Sequence, residues 1–252
     1  MRALRQRPEY PRASTYDPGW LLELDMGPNP LWLLEDLATY LDLRPRMRVL
    51  DLGSGRGASS VFLAREFGGE VWATDLLVDP AVATEVFRQT GVDDQVHAVQ
   101  ADAWRLPFDP EMFDVVVSID AFEYFGTDDH YLPYFQRFVA PGGQIGVATP
   151  ALRREVHELG AIPEHIRGLV GWEALAWHTP AWWRFQWSIT HLVDVEVATF
   201  QERGWENWLL WARANAAHEL PGSQATLAML EADRGHFLSF ALLVARKRVP
   251  PA

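Results

Sequence analysis

Residues 49–57 read Val-Leu-Asp-Leu-Gly-Ser-Gly-Arg-Gly, an apolar run that ends in three glycines at alternate positions, Gly53, Gly55 and Gly57. A helical pattern begins directly after them at Ala58. Such a passage constrains the chain strongly. It predicts a buried strand, a tight turn with positive φ angles, and a helix whose first N–H groups face open space. The alternation then repeats. Apolar runs at 47–51, 70–74, 96–100, 113–119 and 144–148 read as strands, and helical patterns at 58–67, 80–90 and 131–139 lie between them. Gly68-Gly69 and Gly91 supply helix stops. Continuously apolar strands separated by helices predict a doubly wound α/β fold with a mostly parallel sheet covered on both faces and right-handed crossovers.

The flanks are less regular. Six prolines fall within the first 45 residues, which read as an irregular lead-in to a helix over 30–41. Asn29 serves there as N-cap and Pro30 as the first helical residue. After Pro150 the alternation breaks. Residues 151–178 show charged helical segments and no strand, 179–190 a helix opened by Thr179-Pro180, and 192–200 a strand with one polar face. Helical residues 204–234, broken at Pro221-Gly222, precede a final apolar strand at 237–245.

Composition narrows the function classes. The chain has no cysteine, which excludes a disulfide scaffold, a thiolate metal site and a cysteine nucleophile. Its net charge of -12 argues against nucleic acid and anionic membrane surfaces as partners. No apolar stretch approaches the roughly 18 residues of a membrane span, and no secretory pattern opens the chain, so a cytoplasmic protein is expected.

The ligand of the glycine loop is a sharper question. Gly53-x-Gly55-x-x-Ala58 satisfies the dinucleotide fingerprint, and Asp75 stands at the distance expected of a ribose-binding acid, so a nicotinamide or flavin cofactor is an alternative. Against it, Asp51 precedes the loop where it would repel a pyrophosphate but suit an ammonium group. A further acid, Asp102, ends the third strand. VLDLGSGRG, ATDL, QADAWRLPF, FDVVVSIDAFEYF and PGGQIGVA, in that order over residues 46–150, resemble the class I S-adenosylmethionine-dependent methyltransferases. The terminal FLSFALLVARKR resembles that family's antiparallel last strand, with LVDVEVATF beside it.

The resemblance implies a Rossmann-like, seven-stranded sheet with helical cap inserts and S-adenosylmethionine as cofactor. The chain would be one methyltransferase domain, with residues 1–45 as an N-terminal cap and 46–150 as the cofactor-binding core. Residues 151–178 and 204–234 would be substrate-side inserts, and 179–203 and 235–248 the rest of the core. Gly53, Ser54, Gly55 and Gly57 would line the methionine end, with Asp51 holding the amino group directly or through water. Asp75 would bind both ribose hydroxyls, Leu76 would pack on the adenine, and Ala101, Asp102 and Ala103 would meet its edge. Ile119 and Asp120 would complete the site. Tyr16 and the loops near it are expected to close over the methionine end, and residues 10–29 and 151–178 to be mobile without cofactor.

In an open α/β sheet the loop after the fourth strand faces the reacting group. Glu123, Tyr124 and His130 are therefore the candidate catalytic residues. Eight of the twelve tryptophans lie beyond residue 170, suggesting a roof suited to an apolar, aromatic or amine-bearing small molecule. His165 and His178 could lie beneath it, and no spacing resembles a metal site. The expected activity is methyl transfer to an O, N or C atom of such a molecule. The alternative is a protein of the same fold that binds S-adenosylmethionine without methylating.

Overall fold

Five parallel strands carry the first part of the sheet. In the computed structural model, which describes residues 2–249, these are β1 (Arg48–Leu52), β2 (Glu70–Asp75), β3 (Val96–Gln100), β4 (Phe113–Ile119) and β5 (Val139–Leu152). β6 (Val193–Phe200) and β7 (Leu238–Lys247) complete a seven-stranded sheet in the order β3-β2-β1-β4-β5-β7-β6. β7 runs antiparallel to both β5 and β6. Leu52 pairs with Thr74, Asp75 with Gln100 and Ile119 with Ala148, so the carboxyl ends of β1 to β5 form one edge.

Local signals place most helices. Asn29 Oδ1 accepts from the N–H groups of Leu31 and Trp32 and starts the helix Pro30–Ala38. Thr179 Oγ1 accepts from Trp182 N and starts Pro180–Ser188. The lead-in is more ordered than expected. Asp17 Oδ1 accepts from Gly19 N, so Asp17-Pro18 is a helix start rather than a loop turn, and Pro18–Glu23 is helical. The helix expected over 131–139 is α-helical only at Tyr131–Phe135 and ends in a 3-10 turn, Gln136–Phe138.

β5 also runs past Pro150, where no strand was predicted, because β7 continues to pair with it as far as Leu152. Pairing with β4 ends at Ala148, so one edge of β5 is free there and a residue without an N–H is tolerated. Residues 151–178 otherwise hold two short helices, Val156–Leu159 and Glu164–Val170, and a 3-10 stretch, Gly171–Ala176.

Apolar side chains cover both faces of the sheet. Leu34, Leu37, Phe62 and Phe87 belong to one core, and Phe113, Tyr131, Phe135, Trp183 and Trp187 to the other. Trp183 and Trp187 are fully buried against Phe122 and so are structural rather than part of a roof. Truncating either would cost about 3–5 kcal/mol. The N-terminal segment is fixed by a buried polar network: Arg7 lies over the Trp32 ring and donates to Asn207 Oδ1, and the Tyr10 hydroxyl donates to Asp36 while accepting from Asn207. This network ties the segment to the helix Gly204–Ala217, and Asp25, which accepts from Trp211 Nε1 and Asn215 Nδ2, ties residues 22–28 to the same helix.

Candidate active site

The turn after β1 is held by the neighbouring strand. Gly53 N and Ser54 N both donate to the Thr74 carbonyl, at 2.8 and 3.1 Å. Gly55 N donates to Asp75 Oδ2 at 2.9 Å, while Leu77 N and Val78 N donate to Oδ1. Gly53 has φ +76°, and a side chain there would collide with Ala121. The glycine thus lets the loops after β1 and β4 meet.

Over these ends lies a cavity of about 420 Å³. Gly53, Ser54 and Gly55 line it from the turn after β1, and Asp75 and Leu76 from the end of β2. Ala101, Asp102 and Ala103 line it after β3, and Ile119 and Asp120 after β4. Ten of the expected cofactor-site residues therefore converge on one space. Trp104, stacked on Tyr134, lines it too, as do Leu77 and Met26. These three went unnoticed in the sequence, although Trp104 stands only two residues beyond Asp102 and was open to notice.

Three of the expected residues are elsewhere. Asp51 is fully buried beneath the turn, where Oδ2 accepts from the Ser59 and Ser60 hydroxyls at 2.6 Å each and Oδ1 has no partner among the described residues. Burial pushes its carboxyl up to about 6. Ser59, which donates to it, lines the cavity, whereas Asp51 does not. Gly57, with φ +94°, caps the helix Ala58–Phe67 and abuts Phe87, which leaves no room for a side chain. Tyr16 packs on Trp20 and Phe62 and donates to Glu66 Oε1 at 3.0 Å, behind that same helix and away from the cavity.

A second cavity, of about 690 Å³, adjoins the first. Both are lined by Met26, Gly27, Pro28, Arg56, Asp120 and Tyr124, which therefore form a shared wall. Asp120 occupies the left-handed region with φ +55°, an unusual conformation for a residue other than glycine, and its carboxylate lies against Gly27. Glu123 is 3% exposed and accepts from Thr149 Oγ1 at 2.8 Å. Burial, with Glu173 nearby, pushes the Glu123 carboxyl up to about 7. Asp120 is raised well above the ordinary carboxylate range by burial and by Glu123, Glu173 and Asp25. The Tyr124 hydroxyl donates to Glu173 Oε1 at 3.3 Å, joining the loop after β4 to the stretch Gly171–Ala176.

His130 is not part of this arrangement: its side chain is 90% exposed, beside Asp128, and lines neither cavity. Of the clustered tryptophans, Trp177, Trp208 and Trp211 line the larger cavity. Trp182 stacks on His178, which contacts Glu155, and His165 contacts Asp233, so neither histidine lies under the roof. Among the described residues, no group of three or more His, Asp or Glu side chains could hold a metal ion, and no helix is long and apolar enough to cross a membrane.

Residues 49–143 match the methyltransferase domain family. Methyltransferase GfsG of Streptomyces halstedii is 30% identical over 122 residues, which are 48% of this chain and 44% of that protein. The chain thus spans less than half the length of this relative. Phosphoethanolamine N-methyltransferase 2 of Haemonchus contortus, solved with S-adenosylmethionine, superposes with TM-score 0.74 and 19% identity over 98% of this chain and 60% of that one. Geranyl diphosphate C-methyltransferase of Streptomyces coelicolor A3(2), solved with S-adenosylhomocysteine, superposes with TM-score 0.69 and 18% identity over 99% and 90%. The matched segment holds the glycine turn and the acids that end β2 and β3, and the chain as a whole shares the fold of these methyltransferase neighbours.

Proposed function

We propose that this chain transfers a methyl group from S-adenosylmethionine, bound in the smaller cavity, to a small molecule in the larger one. The observation that carries this reading is the shared wall, in which Gly27, Asp120 and Tyr124 face both spaces. A group held in one cavity then lies beside a group held in the other.

The donor set fits the cofactor. Asp75 and Asp102 suit hydroxyl and amine donors, and the backbone of Gly53–Gly55 allows close approach at the methionine end. A pyrophosphate would find Arg56 as its only cation among the described residues of the cavity lining, and that guanidinium donates to the Glu23 carbonyl. Bound S-adenosylmethionine supplies an activated methyl group, so the protein's principal task is alignment, worth up to ~7–11 kcal/mol in favourable cases. Asp120 and Tyr124 fix the approach from the acceptor side. Glu123, with its raised pKa, can take a proton from an acceptor that arrives protonated.

The neighbours do not choose the acceptor, since one is named for phosphoethanolamine and the other for geranyl diphosphate. Calorimetry should show S-adenosylmethionine binding and NAD not binding. Isotope-labelled methyl donor incubated with a metabolite extract should then yield a labelled small molecule and S-adenosylhomocysteine. Cofactor binding with no labelled product would sink the transfer reading.

A further inference from the structure

We propose that the methyl acceptor is an organic amine with an apolar body, held in its ammonium form by the carboxylates of the larger cavity; this rests on the methyl-transfer reading above. The charged residues of that cavity are Glu23, Asp25, Asp120, Glu123 and Glu173 against the single cation Arg56, which is exposed and engaged with the Glu23 carbonyl. A carboxylate or phosphate on the acceptor would enter a space already dominated by negative charge. A neutral acceptor would gain nothing from the charge of these acids, which burial holds toward their protonated forms. An ammonium compensates them.

Independent features point to a ligand of the same kind. Trp177, Trp208 and Trp211 present aromatic surface to the space, and indole faces attract cations. One buried lining residue keeps a hydrogen-bond acceptor without a partner among the described residues: Asn215, 6% exposed, has a free Oδ1 while its Nδ2 donates to Asp25. The Asn215 carbonyl can accept from an ammonium. Of the Glu123 oxygens, only Oε2 is engaged by a neighbouring side chain. The volume of about 690 Å³ suits a drug-sized molecule.

The chemistry balances without a further reagent. The ammonium gives one proton to the Glu123 carboxylate. The freed nitrogen lone pair forms the new C–N bond as the methyl carbon's bond to sulfur breaks, with both of its electrons left on sulfur. The products are a methylated ammonium, a neutral thioether and a protonated Glu123.

The test uses the full chain saturated with S-adenosylhomocysteine and titrated calorimetrically with four probes of similar bulk: 2-phenylethylamine, tryptamine, 2-phenylethanol and 3-phenylpropionate. Both amines should bind at least about tenfold more tightly than the alcohol or the acid. In Glu173→Gln and Glu123→Gln that margin should shrink to about threefold or less, with S-adenosylhomocysteine affinity and circular dichroism showing that both variants fold. The alcohol or the acid matching the amines, or no amine binding in the millimolar range, would overturn the assignment. Labelled methyl donor separates this from the parent reading. Labelled phenols, alcohols or carbon acids without labelled amines overturn the amine alone, whereas no label on any compound overturns methyl transfer itself.

Discussion

The two cavities share a wall but are built in opposite ways. The smaller one is built on four stretches at the carboxyl ends of β1 to β4, closed on one side by residues 24–30. The larger one is made of long side chains from segments far apart in sequence, namely residues 22–28, 120–124, 169–177 and 208–229. A site that depends on glycine φ angles and strand-end acids is tightly bound to local sequence. A site formed where cap elements happen to meet is free to vary, and its chemistry depends on which side chains those elements present. The difference suggests that cofactor binding and acceptor recognition can be damaged separately.

The strongest test of that separation is Asp75→Ala. It removes the acceptor of the Gly55, Leu77 and Val78 N–H groups as well as the expected ribose contact. Loss of hydrogen bonds to a charged group is worth roughly 1.5–3 kcal/mol, so S-adenosylmethionine should bind ~10- to 100-fold more weakly by calorimetry. Unchanged affinity would break the assignment of the smaller cavity.

Glu123→Gln should do the reverse. Turnover should fall by more than about tenfold, or ~1.4 kcal/mol of transition-state stabilisation, while S-adenosylmethionine affinity stays within about threefold. The same variant sharpens the pH behaviour. Turnover of the unmodified chain should rise as pH passes about 7, where Glu123 becomes a carboxylate able to accept a proton, and this rise should vanish in Glu123→Gln. Asp120, Glu173 and Asp25 are the other carboxyls in this group, and Tyr124 adjoins it. The sign for stability is opposite. The folded pKa of Glu123 lies above the unfolded value, so the unfolded chain binds fewer protons between about 4.5 and 7 and stability declines as pH rises through that window. Thermal melts of Glu123→Gln should show a shallower decline. An equal slope would place the effect on other groups.

Two smaller effects test the boundary of the site. Tyr16→Phe removes the hydrogen bond to Glu66 and should lower stability by about 0.5–1.5 kcal/mol without changing cofactor affinity. A cofactor-affinity loss of about tenfold would mean that the segment does close over the methionine end. His130→Ala should leave turnover within about twofold, because the side chain is exposed and lines neither cavity. A larger loss would bring the loop after β4 nearer the acceptor than its present course allows.

Legibility in the sequence follows the same division. Gly53, Gly55, Asp75 and Asp102 could be placed from their own neighbourhoods, because each lies at a strand end and the pairing of parallel strands brings those ends to one edge. Asp51, expected to hold an amino group directly or through water, is fully buried. It lies in β1, inside the sheet, and two serines of the next helix satisfy one of its oxygens. Strand periodicity says which residues belong together and does not say which of them a loop will cover. The tryptophans show the limit more plainly. Trp183 and Trp187 lie one helical turn apart and Trp208 and Trp211 nearly so, and all four are buried in a core, yet only the second pair also borders a cavity.

The sequence by itself determined the doubly wound sheet and the strand-end acids beside the glycine turn, whereas the antiparallel final strand and the cofactor were legible only through the family resemblance. The former features arise from hydrophobic period, glycine conformation and strand-end position, all of which act within about ten residues. Only the tertiary structure decided that Arg7 and Tyr10 would be tied to Asn207 of the helix Gly204–Ala217. It alone brought Asp25, Glu123 and Glu173 around one space, and it took Tyr16 and His130 away from it. These outcomes depend on side-chain contacts between segments 49 to 200 residues apart along the chain, and no local periodicity encodes such contacts.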